Sequence, residues 1–114
     1  MTAERPLRRL VHVLLYGAVR QRLQRLEVLR TDDVCRVVAT HDGQARTFAE
    51  PAFEIHQALM DELARLAHAD LDAQGTGTGD IDIDADEHGS WRAHVAFGPG
   101  SRGEGRAVLD LAHR

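Results

Sequence analysis

Gly79-Asp80-Ile81-Asp82-Ile83-Asp84-Ala85-Asp86, with Trp91-Arg92-Ala93-His94-Val95-Ala96-Phe97 just beyond it, is the stretch that decides the fold. In the first run, isoleucine alternates with aspartate. In the second, Trp91, Ala93, Val95 and Phe97 alternate with Arg92 and His94. A period of two places every second side chain on one side of an extended backbone. Each run therefore predicts a strand with one buried face and one wet, charged face. Glu87-His88-Gly89 turns the chain between them, which makes the pair antiparallel.

Working outward, a Gly/Pro loop (Gly98 to Gly103) leads to a last strand, Arg106 to Leu111. On the other side, Gln74-Gly75-Thr76-Gly77-Thr78-Gly79 reads as a flexible connector. Before it, Pro51 opens a helix whose stripe is Ala52, Ile55, Leu59, Leu63 and Leu66, ending near Ala69. His41-Asp42-Gly43 is a hairpin turn, because Asp-Gly tolerates positive φ. It joins the strand Val34 to Thr40 to a return strand, Gln44 to Phe48. Leu26 to Leu29 is a short strand, and Thr31-Asp32-Asp33 a turn.

At the start of the chain, Pro6 suits the first turn of a helix. Leu7, Leu10, Val11, Leu14, Leu15 and Ala18, continued by Val19, Leu23 and Leu26, predict an amphipathic helix over residues 6–25. Gly17 weakens it by about 1 kcal/mol relative to Ala unless close packing requires a bare backbone. The order is α-β-β-β-α-β-β-β. The expected fold class is α+β: two helices packed on one face of a mostly antiparallel sheet, in one domain of 114 residues.

Charge is uneven. Residues 1–30 carry seven arginines against Glu4 and Glu27, a balance of +5, whereas residues 31–114 stand at −9, giving −4 overall. The acidic body disfavours non-specific nucleic-acid binding, while Arg9, Arg20, Arg22 and Arg25 on the first helix form a surface for an acidic partner. No apolar run reaches the ~18 residues of a membrane span, so no membrane insertion is expected. Arg8-Arg9 and the short run Leu10 to Leu15 lack a signal-peptide cleavage pattern, and a cytoplasmic protein is expected. A single cysteine, Cys35, forms no internal disulfide and reads as a small buried hydrophobe, with no activating His or helix N-terminus near it in sequence.

Tests for chemistry are negative. From Asp80, a calcium loop needs Gly at position six and Glu at twelve; the residues are Ala85 and Trp91. The seven histidines, His12, His41, His56, His68, His88, His94 and His113, form no HExxH or zinc-type spacing and read as scattered surface residues. Gly75, Gly77 and Gly79 lack the Gly-Lys-Ser/Thr of a phosphate loop, and the chain has no lysine. Ser90 and Ser101 sit in no nucleophile elbow. Trp91 belongs to the core. Catalytic residues, cofactors and metal ligands are therefore not expected. Arg92 and His94 share a strand face, where with Arg36 an anion could sit.

Leu10-Val11-His12-Val13-Leu14-Leu15-Tyr16-Gly17-Ala18, Arg36-Val37-Val38-Ala39-Thr40-His41-Asp42-Gly43, Trp91-Arg92-Ala93-His94-Val95 and Gly103-Glu104-Gly105-Arg106-Ala107-Val108-Leu109-Asp110-Leu111 fall in a telling order. Together the segments resemble the PAS-like amino-terminal domain of type II secretion and type IV pilus assembly ATPases, over about residues 6–111. The S-D-I-H strand of that family is replaced by Arg25-Leu26-Glu27-Val28-Leu29. No Walker A or Walker B segment is present, so ATP hydrolysis by the chain alone is not expected. The resemblance implies a non-catalytic adaptor or regulator, with a motor ATPase or secretion component as protein partner. Arg36, Arg92 and Arg106 match the arginines that approach nucleotide in the family. A small acidic secretion chaperone, which would form a homodimer, and an anion or nucleotide sensor are the alternatives.

Overall fold

The computed structural model describes residues 4–30, 34–98 and 105–114. The predicted turn at 31–33 and most of the Gly98 to Gly103 loop lie outside the described residues. Helix α1 spans Glu4–Arg20, followed by strands β1 (Arg25–Arg30), β2 (Cys35–His41) and β3 (Gln44–Ala49). After a 3-10 turn at Phe53–Ile55 come α2 (His56–Leu66), β4 (Gly77–Asp84), a second 3-10 turn at Asp86–His88, β5 (Ser90–Phe97) and β6 (Ala107–His113). The class and order match the sequence reading: two helices cover one face of an antiparallel sheet.

The six strands lie in the order β3-β2-β1-β6-β5-β4. The chain thus lays two α-β-β-β units side by side. They meet at the centre, where β1 pairs with β6 from Arg25↔Asp110 to Val28↔Ala107. The outer edges are β3 and β4.

Alternation sets the core. Ile81 and Ile83 of β4, Trp91, Ala93, Val95 and Phe97 of β5, Leu109 of β6, Leu26 and Val28 of β1 and Val37 of β2 are all buried. Val11, Leu14, Leu15, Ala18 and Val19 of α1, with Leu59, Met60 and Leu63 of α2, close over them. Trp91 is in the core as expected, its indole N–H donating to the His88 carbonyl at 2.8 Å. Both edges of the sheet reach the same turn of α1. On one side, a Cβ on Gly17 would lie 3.1 Å from Phe48 Cζ. On the other, Tyr16 Oη donates to the Asp84 carbonyl at 2.7 Å.

Helix α1 stops at Arg20, not at residue 25. Leu23 N–H bonds the Ala18 carbonyl at 2.9 Å and Arg22 N–H the Val19 carbonyl at 3.0 Å, with Arg22 at φ 54°. This is a Schellman ending with arginine where glycine is usual. The apolar spacing continued through Leu23 and Leu26 because those residues enter the same core as the helix, from the connection and from β1. Helix α2 ends in the same way: Ala69 N–H bonds the Ala64 carbonyl at 3.0 Å and His68 has φ 52°.

The Gly-rich segment also departs from the sequence reading, since β4 begins at Gly77, two residues before the Gly79 at which the alternation was expected to start. A Cβ on Gly79 would sit 2.2 Å from the Ala67 carbonyl oxygen, and one on Gly77 2.7 Å from that of Asp70. The C-terminal end of α2 and the segment after it therefore rest directly on bare strand.

Candidate functional site

The helix-free face carries the charged residues of the alternating strands. Across it, Thr40, Arg25, Asp110, His94 and Asp80 form one row. Arg25 Nε donates to Asp110 Oδ1 at 2.7 Å, and His94 Nδ1 lies 2.9 Å from Asp80 Oδ1. One row over, Arg92 Nε donates to Asp82 Oδ1 at 2.9 Å, with Arg114 at 3.4 Å from the same oxygen. Hydrogen bonding to Arg92 pulls the Asp82 pKa below its ordinary value.

Arg92 and His94 thus share a face, each facing an aspartate of β4. Arg36 pairs with Glu50 at 3.3 Å on β2, three strands from β5, or about 14 Å away at the usual strand spacing. Arg106 is exposed and precedes β6, its carbonyl accepting from Gly98 N–H at 2.8 Å. The four arginines assigned to the first helix separate. Arg9 is exposed on α1, Arg20 is its last residue, Arg22 lies in the turn after it, and Arg25 belongs to β1.

Two arrangements escaped the sequence reading. The first is buried. Cys35 Sγ lies 3.3 Å from His56 Nδ1, and His56 Nε2 lies 2.8 Å from the Gly105 carbonyl. A carbonyl only accepts, so Nε2 carries the proton and Nδ1 receives the thiol S–H. His56 and Cys35 are both 1% exposed, which corrects the expectation of surface histidines. Burial raises the Cys35 pKa and lowers that of His56. Both groups are held neutral, the opposite of a thiolate–imidazolium nucleophile. The trio ties β2, the start of α2 and the approach to β6 together. A pair 21 positions apart in sequence gave no local signal.

The second arrangement is a trough beside the edge strand β4. A cavity of about 400 Å³ has Val11 and Leu15 of α1, Leu66 of α2, and Ile81 and Ile83 of β4 as its apolar lining. Past Tyr16, a further cavity of about 700 Å³ continues by Arg20 to the β4–β5 turn at Asp86–His88. Tyr16 lines both, so they run in series along α1. On the rim, Arg65 holds Glu62 through Nε–Oε1 at 2.9 Å and Nη2–Oε2 at 2.6 Å. These hydrogen bonds, with the charges of Arg65 and Arg8, keep the Glu62 pKa low against the cost of burial. His12 stacks on Tyr16 with ring centroids 4.3 Å apart. Val11, Leu15, Ile81 and Ile83 are core residues, as the sequence reading placed them, and the trough opens along their rim.

Among the described residues, no three His, Cys, Asp or Glu side chains are grouped to hold a metal ion, and no helix is long and apolar enough to cross a membrane. No protein-family model matches the sequence, and no curated protein matches it either.

Proposed function

We propose that this domain works by binding another protein, and that the α1–α2–β4 trough is where the partner docks. The observation that carries this reading is a groove running beside an edge strand, backed in its first part by Val11, Leu15, Leu66, Ile81 and Ile83 and lined past Tyr16 by Arg20, Asp86, Glu87 and His88. Its rim charges Glu62 and Arg65 already satisfy each other. A groove of this kind suits an extended segment better than a compact charged ligand, which needs convergent uncommitted polar groups. The buried, neutral Cys35–His56 pair favours a structural role for that cluster and leaves the trough as the working surface.

The narrower identity rests on the sequence resemblance: an adaptor or regulator whose partner is a motor ATPase or another secretion component. A photo-crosslinking residue placed at His12 in the protein's own cells tests both levels. The expected result is a discrete adduct from that position and none from Thr47 on the opposite edge. Identification of the adduct as a motor ATPase supports the adaptor reading. Adducts from Arg92 or Arg36 alone would move the working surface to the helix-free face and overturn the trough.

A further inference from the structure

The backbone of β4 says what kind of segment the trough accepts. In an antiparallel ladder, alternate residues turn both N–H and C=O toward one neighbour and the rest turn both away. Ala85 N–H bonds the Gly89 carbonyl, which places the odd-numbered residues of β4 in hydrogen-bonded pairs with β5. Gly98 N–H to the Arg106 carbonyl and Arg114 N–H to the Ser90 carbonyl give β5 the matching parity, with its even residues bonded to β6. Thr78, Asp80, Asp82 and Asp84 therefore point their backbone groups out of the open edge. The Asp84 carbonyl is taken by Tyr16. The outward groups of Thr78, Asp80 and Asp82 are placed to receive another strand.

The side chains flanking that edge differ by face. On the helix side lies the trough, with Ile81, Ile83, Val11 and Leu15. On the other side stand the carboxylates of Asp80, Asp82 and Asp84. The occupant of β4's other side shows what this strand accepts: β5 sets apolar Trp91, Ala93 and Val95 on the core face and Arg92 and His94 opposite Asp82 and Asp80.

Resting on the protein-binding reading above, we infer that the trough takes an extended partner segment in which apolar residues alternate with arginine or lysine, added as a seventh strand on β4. Its apolar side chains enter the trough, its basic ones share Asp80 and Asp82 with His94 and Arg92, which already pair with them, and its main chain bonds the outward groups of β4. At about 3.3 Å per residue, some six residues span the open edge. A second copy of this chain does not fit by the same edge, because β4 on β4 would set acid rows against each other.

The probe is a capped eight-residue peptide alternating arginine with valine, compared with the block isomer of four valines then four arginines. Expected are at least tenfold tighter binding of the alternating peptide and slowed amide exchange at Thr78, Asp80 and Asp82. The double change Asp80→Asn and Asp82→Asn weakens binding severalfold. Asp82→Pro, tolerated where the N–H faces outward from an edge strand, weakens it at least tenfold beyond Asp82→Asn while circular dichroism stays unchanged. Equal binding of the two peptides, protection on β3 instead, or a dimer through β4 in light scattering overturns the inference. Cross-linking at His12 without amide protection on β4 by the captured partner removes strand addition and leaves the protein-binding reading standing. A partner that protects only the helix-free face removes both.

Discussion

The two α-β-β-β units follow the same plan and use it differently. In the first, the seventeen-residue α1 lies over the sheet, and its edge strand β3 reaches back to it through Phe48. β3 sets only Ala45 and Thr47 on the helix-free face opposite Thr40 and Val38. In the second, the eleven-residue α2 ends early and its tail crosses bare strand at Gly77 and Gly79, while the far half of β4 keeps an open trough and a row of aspartates. The same order of elements thus yields two outer edges, one with an aromatic side chain set against α1 and one flanked by a trough and a row of aspartates. Charged side chains on an edge discourage unselective strand pairing. They also select for an oppositely charged strand.

The sharpest way to break the contrast is Gly79→Ala. The new methyl would occupy space 2.2 Å from the Ala67 carbonyl oxygen and 2.9 Å from Ala67 Cβ. Backbone must move, so the expected loss is about 3 kcal/mol, the upper end of ordinary overpacking. In the first unit, Gly43→Ala meets nothing within 4 Å, but the residue sits at φ 79°. Its expected cost is about 1–2 kcal/mol from conformation alone. Urea denaturation of both variants checks the ranking. Equal losses would mean that the crossing of α2 over β4 is not a tight constraint.

Next in size is His56→Gln, at the junction between the units. The substitution disturbs the link from Cys35 to the Gly105 carbonyl and leaves a half-buried carbonyl and a buried thiol short of partners, about 2 kcal/mol. It also carries a pH signature. Because burial lowers the His56 pKa, the unfolded chain binds more protons than the folded one once pH drops below about 6.5. The stabilisation is whole above that value and is lost as pH falls toward the folded-state value. Glu62, held low by Arg65, acts in the same direction but in a lower window, beginning near the ordinary carboxylate range of about 4.3. The wild type should lose stability from about pH 6.5 downward, and His56→Gln should flatten that first decline while leaving the second. Parallel pH profiles would remove His56 as its source.

What the sequence disclosed was local. The Asp/Ile alternation and the Asp42-Gly43 turn each carry their period within a few residues and became the expected elements, while the stripe through Leu59 and Leu63 became a helix that starts at His56, not at Pro51, because Ile55 closes a 3-10 turn. The features that distinguish the two units are not periodic. Gly77 and Gly79 signal a close approach that only the path of α2 explains. His56 meets Cys35 because a hairpin and a turn return the chain to β2. The trough depends on β4 being an edge, and edge status is set by β1 pairing with β6 across the sheet centre. Arg92 and His94 were placed together because strand alternation fixes a face. Arg36 was grouped with them by residue type, and type does not set strand order.

The smallest effect tests whether the units share more than order. Arg22 and His68 occupy the same position in the two helix endings, at φ 54° and 52°. A non-glycine residue in this conformation carries a steric penalty that glycine escapes, partly offset by the greater freedom glycine brings to the unfolded chain. Arg22→Gly and His68→Gly should each stabilise the domain by about 0.5–1 kcal/mol, read as a raised urea midpoint with unchanged slope. Because the two endings lie on different helices and share no hydrogen bond, the gains should add. A gain at Arg22 alone would mean that His68 is held by more than its backbone. The tail of α2 over Gly79 would then be the place where the second unit resists the change.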